Sequence, residues 1–125
     1  MRAAIYAAIV CLCAAPSVFA QDAVKVDPKH YTVISENDQV RILKAHYGPH
    51  EKSVMHSHPN VVAVYLTDGK VVMHLPDGSN HEVSSKAGAA EFVPAGTHLP
   101  ENAGDTAEDV IVIELKTHAA KSAMK

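Results

Sequence analysis

Short runs rich in β-branched residues, interrupted every few positions by glycine, proline or aspartate, set the tightest limit on what this chain can fold into. Val33-Ile34, Val40-Arg41-Ile42-Leu43, Val61 to Leu66, Val71 to Leu75, Phe92-Val93 and Val110 to Ile113 suit the pleated surface of a sheet. Gly48-Pro49, Asp68-Gly69, Pro76-Asp77-Gly78, Gly88, Pro94-Ala95-Gly96 and Gly104-Asp105 separate them as turns. Beyond the first twenty residues no stretch keeps a 3.6-residue apolar repeat long enough for a substantial helix. Evenly spaced short strands predict an all-β fold, a small antiparallel β-barrel or jelly roll. Asp68-Gly69, between two apolar runs, is the strongest hairpin signal. The unbroken apolar run 61–66 predicts a strand buried on both faces.

The first twenty residues read as a signal peptide rather than as part of that fold. Arg2 gives a positive start, Ala3 to Ala15 an apolar run too short to span a bilayer, and Ser17-Val18-Phe19-Ala20 a small-residue cleavage site. A lipid anchor on Cys11 or Cys13 is disfavoured, because Val10 and Leu12 precede them where that signal takes a small residue. Cleavage after Ala20 predicts a periplasmic or secreted protein with no membrane association. It also removes both cysteines, which excludes disulfides, thiolate metal ligation and a cysteine nucleophile. What remains carries ten basic and fourteen acidic side chains, a net charge of −4 with histidines neutral. No basic run appears, so nucleic acid is excluded as an expected partner. About 105 residues suffice for one small domain. We divide them into a polar lead-in of uncertain order at 21–29, the barrel at 30–117 and a frayed tail at 118–125.

Three of the nine histidines carry the chemistry. His56 and His58 flank a single residue, so in a strand both imidazoles face the same side. His98 follows the Pro94-Ala95-Gly96-Thr97 turn, forty residues beyond His58. Imidazoles from two neighbouring strands can converge on one ion with bonds of about 2.0–2.1 Å, leaving its other face open. The plainer alternatives are surface histidines for the first pair and, for His98, a hydrogen bond to the Asn102 loop. His50 reads as a turn or rim residue before a fourth ligand. His46 and His74 are expected to face outward, and His30, His81 and His118 to be solvated. Tyr65 and Phe92 are expected in the cavity lining or the core. Glu91 is ordinarily a solvent-facing glutamate, but facing inward it would add a carboxylate to the site.

These residues resemble the two sequence motifs of the cupin superfamily. Gly48 to Gly69, with His56-Ser57-His58 near its centre, resembles the first motif. Gly88 to Asn102, with Pro94-Ala95-Gly96, His98 and Asn102, resembles the second. The resemblance spans residues 30–117 and implies a single small barrel with a metal held inside by histidines of both motifs. It also implies pairing of two copies through sheet edges, hence a homodimer. The chain departs from the pattern in three places. The carboxylate that usually follows the second histidine is replaced by Val62 and Ala63, and His50 stands where a glycine is usual. One residue, Thr97, separates Gly96 from His98 where two are usual, a change that reverses side-chain direction unless the turn absorbs it.

The missing carboxylate alters the expected chemistry. Three neutral imidazoles leave a bound divalent ion its full charge and suit iron, copper, zinc or nickel better than manganese or magnesium. The resemblance is then to three-histidine cupins, some of which use ferrous iron to bring dioxygen to a chelating substrate. Three functions follow: an oxygen-dependent enzyme acting on a small chelating organic compound, a non-catalytic metal or small-molecule binding module, and a metal-free barrel that kept the motif as scaffold. No general base is evident, since Glu101 has the opposite strand parity to His98 and lies beside the strand-breaking Pro100.

Overall fold

A computed structural model describes residues 21–117. The signal-peptide and tail expectations, His118 included, lie outside the described residues. A single helical turn, α1 (Ala23–Val26), precedes nine strands: β1 (Tyr31–Glu36), β2 (Val40–Tyr47), β3 (His56–His58), β4 (Val61–Tyr65), β5 (Gly69–His74), β6 (Asn80–Ser85), β7 (Ala90–Val93), β8 (Gly96–Asn102) and β9 (Glu108–Leu115). They form a five-stranded sheet in the order β1-β2-β9-β4-β7 and a four-stranded sheet in the order β3-β8-β5-β6. All named strand pairs are antiparallel. Only β1–β2 and β5–β6 are hairpins within one sheet, and every other connection crosses between sheets. This is the expected all-β jelly roll.

The alternation of β2 shows why the sequence folds this way. Leu43, Ala45 and Tyr47 point inward and are buried, whereas Lys44 and His46 between them are exposed. Burying a side chain as completely as Leu43, only 1% exposed, contributes about 2 kcal/mol. Few side chains are so enclosed, because much of the apolar interior lines a cavity between the sheets. Leu43, Ala45, Val61, Ala63, Val71, Met73, Val110 and Val112 all face it.

Several local expectations are corrected. The run 61–66 is not buried on both faces: Val61 and Ala63 are buried, Val62 and Val64 half-buried, and Leu66 is 48% exposed. Asp68-Gly69 makes no hairpin, since β4 and β5 belong to different sheets. Gly69 does not use a positive φ either; it admits Glu108, whose Oε1 would lie 1.5 Å from a Cβ added there. The hairpin turn is Pro76-Asp77-Gly78, with Gly78 at φ 86°. Pro100 does not break its strand. Its carbonyl accepts from Ser53 N (2.9 Å), and a residue's N–H and C=O point the same way in an extended strand. The missing N–H therefore falls on the side of residues 51–53 and leaves the β5 ladder intact.

The lead-in is ordered as well. Asp22 caps α1 by accepting from Val24 N (2.9 Å) and receives Arg41 Nη1 (2.8 Å), while Arg41 Nε donates to Glu114 (2.5 Å). Ala23 is buried against Tyr31, Leu43, Ala45 and Tyr47. Ser57 N donates to the Gln21 carbonyl (2.8 Å), so the lead-in pairs with β3.

Candidate functional site

β3 and β8 bring the three predicted histidines together. His56 pairs directly with His98 across the ladder, and His58 pairs with Gly96. The short turn before His98 thus absorbs the missing residue, with Ala95 N donating to Asn60 Oδ1 (2.8 Å). The His98 ring lies 5.0 Å from that of His56 and 4.7 Å from that of His58, centroid to centroid. All three line the cavity, whose volume is about 280 Å³.

The backbone fixes two of the rings. His56 Nδ1 donates to the Val54 carbonyl (2.7 Å) and His58 Nδ1 to the Pro59 carbonyl (2.7 Å), which leaves each Nε2 as the nitrogen with a free lone pair. Burial first, then the charges of His58 and His56, holds the His98 pKa down at about 3. Burial likewise lowers that of His56, against the pull of the Val54 carbonyl. Both are neutral at ordinary pH, the form that ligates metal.

Among the described residues, no three His, Cys, Asp or Glu side chains are already closed around one point as a ligand set. The spacing of the rings nevertheless suits one. With a bond of about 2.1 Å and a ring centre roughly 1.1 Å further on, two imidazoles at 90–109° on a shared ion have centroids about 4.5–5.2 Å apart. The observed 4.7 and 5.0 Å fall within that range. The residues therefore fit a mononuclear transition-metal ion.

Behind His56 runs a buried polar network that the sequence reading missed. Ser53 Oγ lies 3.5 Å from His56 Nδ1 and donates to Asp27 Oδ2 (2.6 Å). Asp27 holds His30 through both carboxylate oxygens, 2.8 and 2.9 Å from Nδ1. His30 Nε2 then reaches Glu51 (2.7 Å), and its ring stacks on Tyr47 at 4.6 Å. Tyr47 donates to Tyr31 (2.5 Å), whose ring packs edge-on against His56 at 5.0 Å. His30, expected to be solvated, is 6% exposed. Its partners come from the lead-in and from the loop before β3, so no local pattern could announce its burial.

The remaining candidates divide. His50 is an exposed turn residue, as expected, at φ 59° and 2.8 Å from Asp105. His46 is exposed and pairs with Asp109, while His74 pairs with Glu101 away from the cavity. His81 is exposed but borders the cavity. Phe92, expected in the lining or core, is 58% exposed, because strand parity sends its neighbours Glu91 and Val93 inward. Glu91 is solvent-exposed, as expected, but borders the cavity at its rim, where it accepts a hydrogen bond from Tyr65 OH. Burial, then that bond, then the charges of Glu91 and Glu108, raises the Tyr65 pKa. The Tyr65–Glu91 hydroxyl–carboxylate pair, with His81 nearby on the lining, adds proton-transfer groups to the cavity.

No family model matches this chain, and no curated protein matches it. Solved structures do. A cupin domain from Bordetella pertussis Tohama I is 26% identical, with a TM-score of 0.65, over 70% of this chain and 92% of that one. A double-stranded β-helix protein from Klebsiella pneumoniae superposes with a TM-score of 0.56 at 19% identity, over 68% of this chain and 74% of the other. An RmlC-like cupin from Methanocaldococcus jannaschii gives 0.55 at 17% identity, over 68% and 77%. The fold is thus the cupin double-stranded β-helix, and the likenesses support a place in the cupin superfamily.

Proposed function

We propose that this is an exported cupin that holds one divalent transition-metal ion on His56, His58 and His98 and converts a small chelating organic compound in the adjoining cavity, with dioxygen as oxidant. The observation that carries the metal site is the facing of the His56, His58 and His98 imidazoles, with the His98 ring at cis-ligand spacing from each of the other two, on the wall of a largely apolar cavity. Iron, copper, zinc or nickel suits such nitrogen donors, and oxygen chemistry selects the redox-active ones. When bound, the ion supplies Lewis acidity and a place for dioxygen and substrate to meet. The chain's own residues do the rest. The Val54 and Pro59 carbonyls hold two rings in register. Apolar walls receive the body of the compound, and Glu91 at the rim can take a proton from a substrate group while Tyr65 steadies it.

Elemental analysis after loading with iron(II), copper(II) or zinc(II) and removal of excess tests the site. The expected result is one ion per chain, lost in His56→Ala, His58→Ala and His98→Ala variants that keep their strand spectrum. Stoichiometric metal in every single variant would remove the histidines from this role. The Tyr65–Glu91 pair is the observation that favours an enzyme over a non-catalytic metal or small-molecule binding module. Oxygen uptake by the iron-loaded protein with diketones, thiols or phenols separates the two readings.

A further inference from the structure

The five-stranded sheet turns one face to the cavity, and its other face is apolar across most of its width. In β2, Ile42 and Lys44 alternate with the inward Leu43 and Ala45 and therefore point outward. The register carries that direction across the sheet. Ile42, Ile113, Val62 and Phe92 stand side by side on four neighbouring strands. The next row holds Lys44, Ile111, Val64 and Ala90. Leu115, paired with Val40, extends the apolar surface at one end, and Leu66, whose N–H donates to the Asp109 carbonyl, at the other. Phe92 is 58% and Leu66 48% exposed, although burying such side chains is worth about 2 kcal/mol each. The four-stranded sheet lies on the cavity side, and α1 packs through Ala23 onto the inward Tyr31 and Leu43. Among the described residues no other element covers this outer face.

We infer that the outer face of the five-stranded sheet is where two copies of this chain pair, sheet against sheet about a two-fold axis. Strands about 4.8 Å apart and residues about 3.4 Å apart make the face about 24 by 24 Å. As accessible surface that is on the order of the 800 Å² per partner of a standard interface. Its apolar centre has a polar margin, with Lys44, His46 and Asp109 at one corner and Ser35 on β1. A pleated apolar face is met best by another like it, and a two-fold axis supplies one from the same chain. Other covers fit less well. The eight residues after Thr117 offer a single large apolar side chain, Met124. Lys44 is held by Asp109 at 3.6 Å and the net charge is −3 with histidines neutral, so an anionic membrane finds no attraction here. The contact is face to face, unlike the edge pairing that the motif resemblance implies. It also reaches the cavity, because β7 is an edge strand with β4 as its one neighbour and carries Glu91 beside Phe92. A partner seated on Phe92 steadies that strand from behind.

Sedimentation velocity over a dilution series tests the pairing independently of the histidine site. The wild type is expected to be a dimer whose melting temperature rises with protein concentration. Phe92→Lys and Leu66→Lys change side chains already exposed in the single chain, so both should keep the strand spectrum. Each is expected to weaken the dimer by about thirtyfold or more and to remove the concentration dependence. Ile34→Lys, at the bulge on the free edge of β1, should leave the dimer intact. A wild type that is monomeric at every concentration would overturn the inference. So would a dimer that survives both face substitutions, or one that Ile34→Lys alone dissociates. A monomer that binds phosphatidylcholine vesicles, and loses them in Phe92→Lys, would give the face to a membrane and equally overturn it.

Discussion

His98 stands directly opposite His56 across the β3–β8 ladder, their ring planes nearly perpendicular at 86°. Their register is what a one-residue deletion before His98 threatened to destroy. The deletion is taken up in the turn, where Asn60 holds Ala95, and not in the strand. Strand parity at His98 is thereby preserved, and both imidazoles reach the same interior.

Their burial gives the metal-free protein a distinctive acid response. An unfolded histidine takes its proton near pH 6.5, whereas folded His98 resists until about pH 3. Below pH 6.5 the unfolded chain therefore binds more protons, and stability must fall as the pH drops. The expected slope from His98 is about 1.4 kcal/mol per pH unit between those limits. Urea unfolding of chelator-treated protein from pH 7 to 4 checks this, and His98→Leu should flatten the profile. Equal slopes in both proteins would show that His98 is not held neutral.

Gly69 and Glu108 are expected to be coupled. Gly69→Ala forces a methyl group into the carboxylate and should destabilise the protein by about 1–3 kcal/mol. In a Glu108→Ala background the same substitution should cost far less. A double-mutant cycle by chemical denaturation measures the difference, and additive effects would contradict the close approach.

Asn102 is 1% exposed and ties the β2–β3 loop to the β8–β9 loop. Its Nδ2 donates to the carbonyls of Gly48 (3.0 Å), Thr106 (2.8 Å) and, more loosely, Tyr47 (3.3 Å), while its Oδ1 accepts from Gly104 N (2.9 Å). Asn102→Leu leaves those groups unpaired and should cost roughly 3–5 kcal/mol. Asn102→Asp should also be strongly destabilising, because it turns an oxygen toward three carbonyls. Melting curves that match the wild type would rule out this role.

Asp27 anchors the network behind His56. Asp27→Ala strands His30 and Ser53 in the interior, with an expected loss of about 3–5 kcal/mol. Asp27→Asn should be milder, because it preserves the shape and one acceptor. If metal binds as proposed, either change should also weaken it, through the looser seating of His56, and a metal titration on each variant reads that effect.

Most of the fold was legible because β-branched runs and turn residues announce strands by composition. The exceptions share a cause. β6 (Asn80–Ser85) and β8 (Gly96–Asn102) are polar or carry proline, and pairing with β5 rather than propensity makes them strands. Asp68-Gly69 misled because its glycine answers a packing demand from Glu108, thirty-nine residues away in sequence. The histidine triad was legible through spacing and motif resemblance. The place of Glu91 at the cavity rim and the burial of His30 were not, since strand offset settles the one and distant partners the other. Glu108 gave no sequence signal at all.

The pairing of Gln21 with Ser57 has a practical bearing on where this protein can be cut. β3 is the shortest strand in the described molecule, three residues long, and two of its three residues are the imidazoles His56 and His58. β8 braces one flank and Gln21 and Asp22 brace the other. A truncation beginning at the nominal barrel start, residue 30, would keep both sheets and yet unclamp the segment that matters most. Residues 21–29 are thus less a leader to the domain than its fastening.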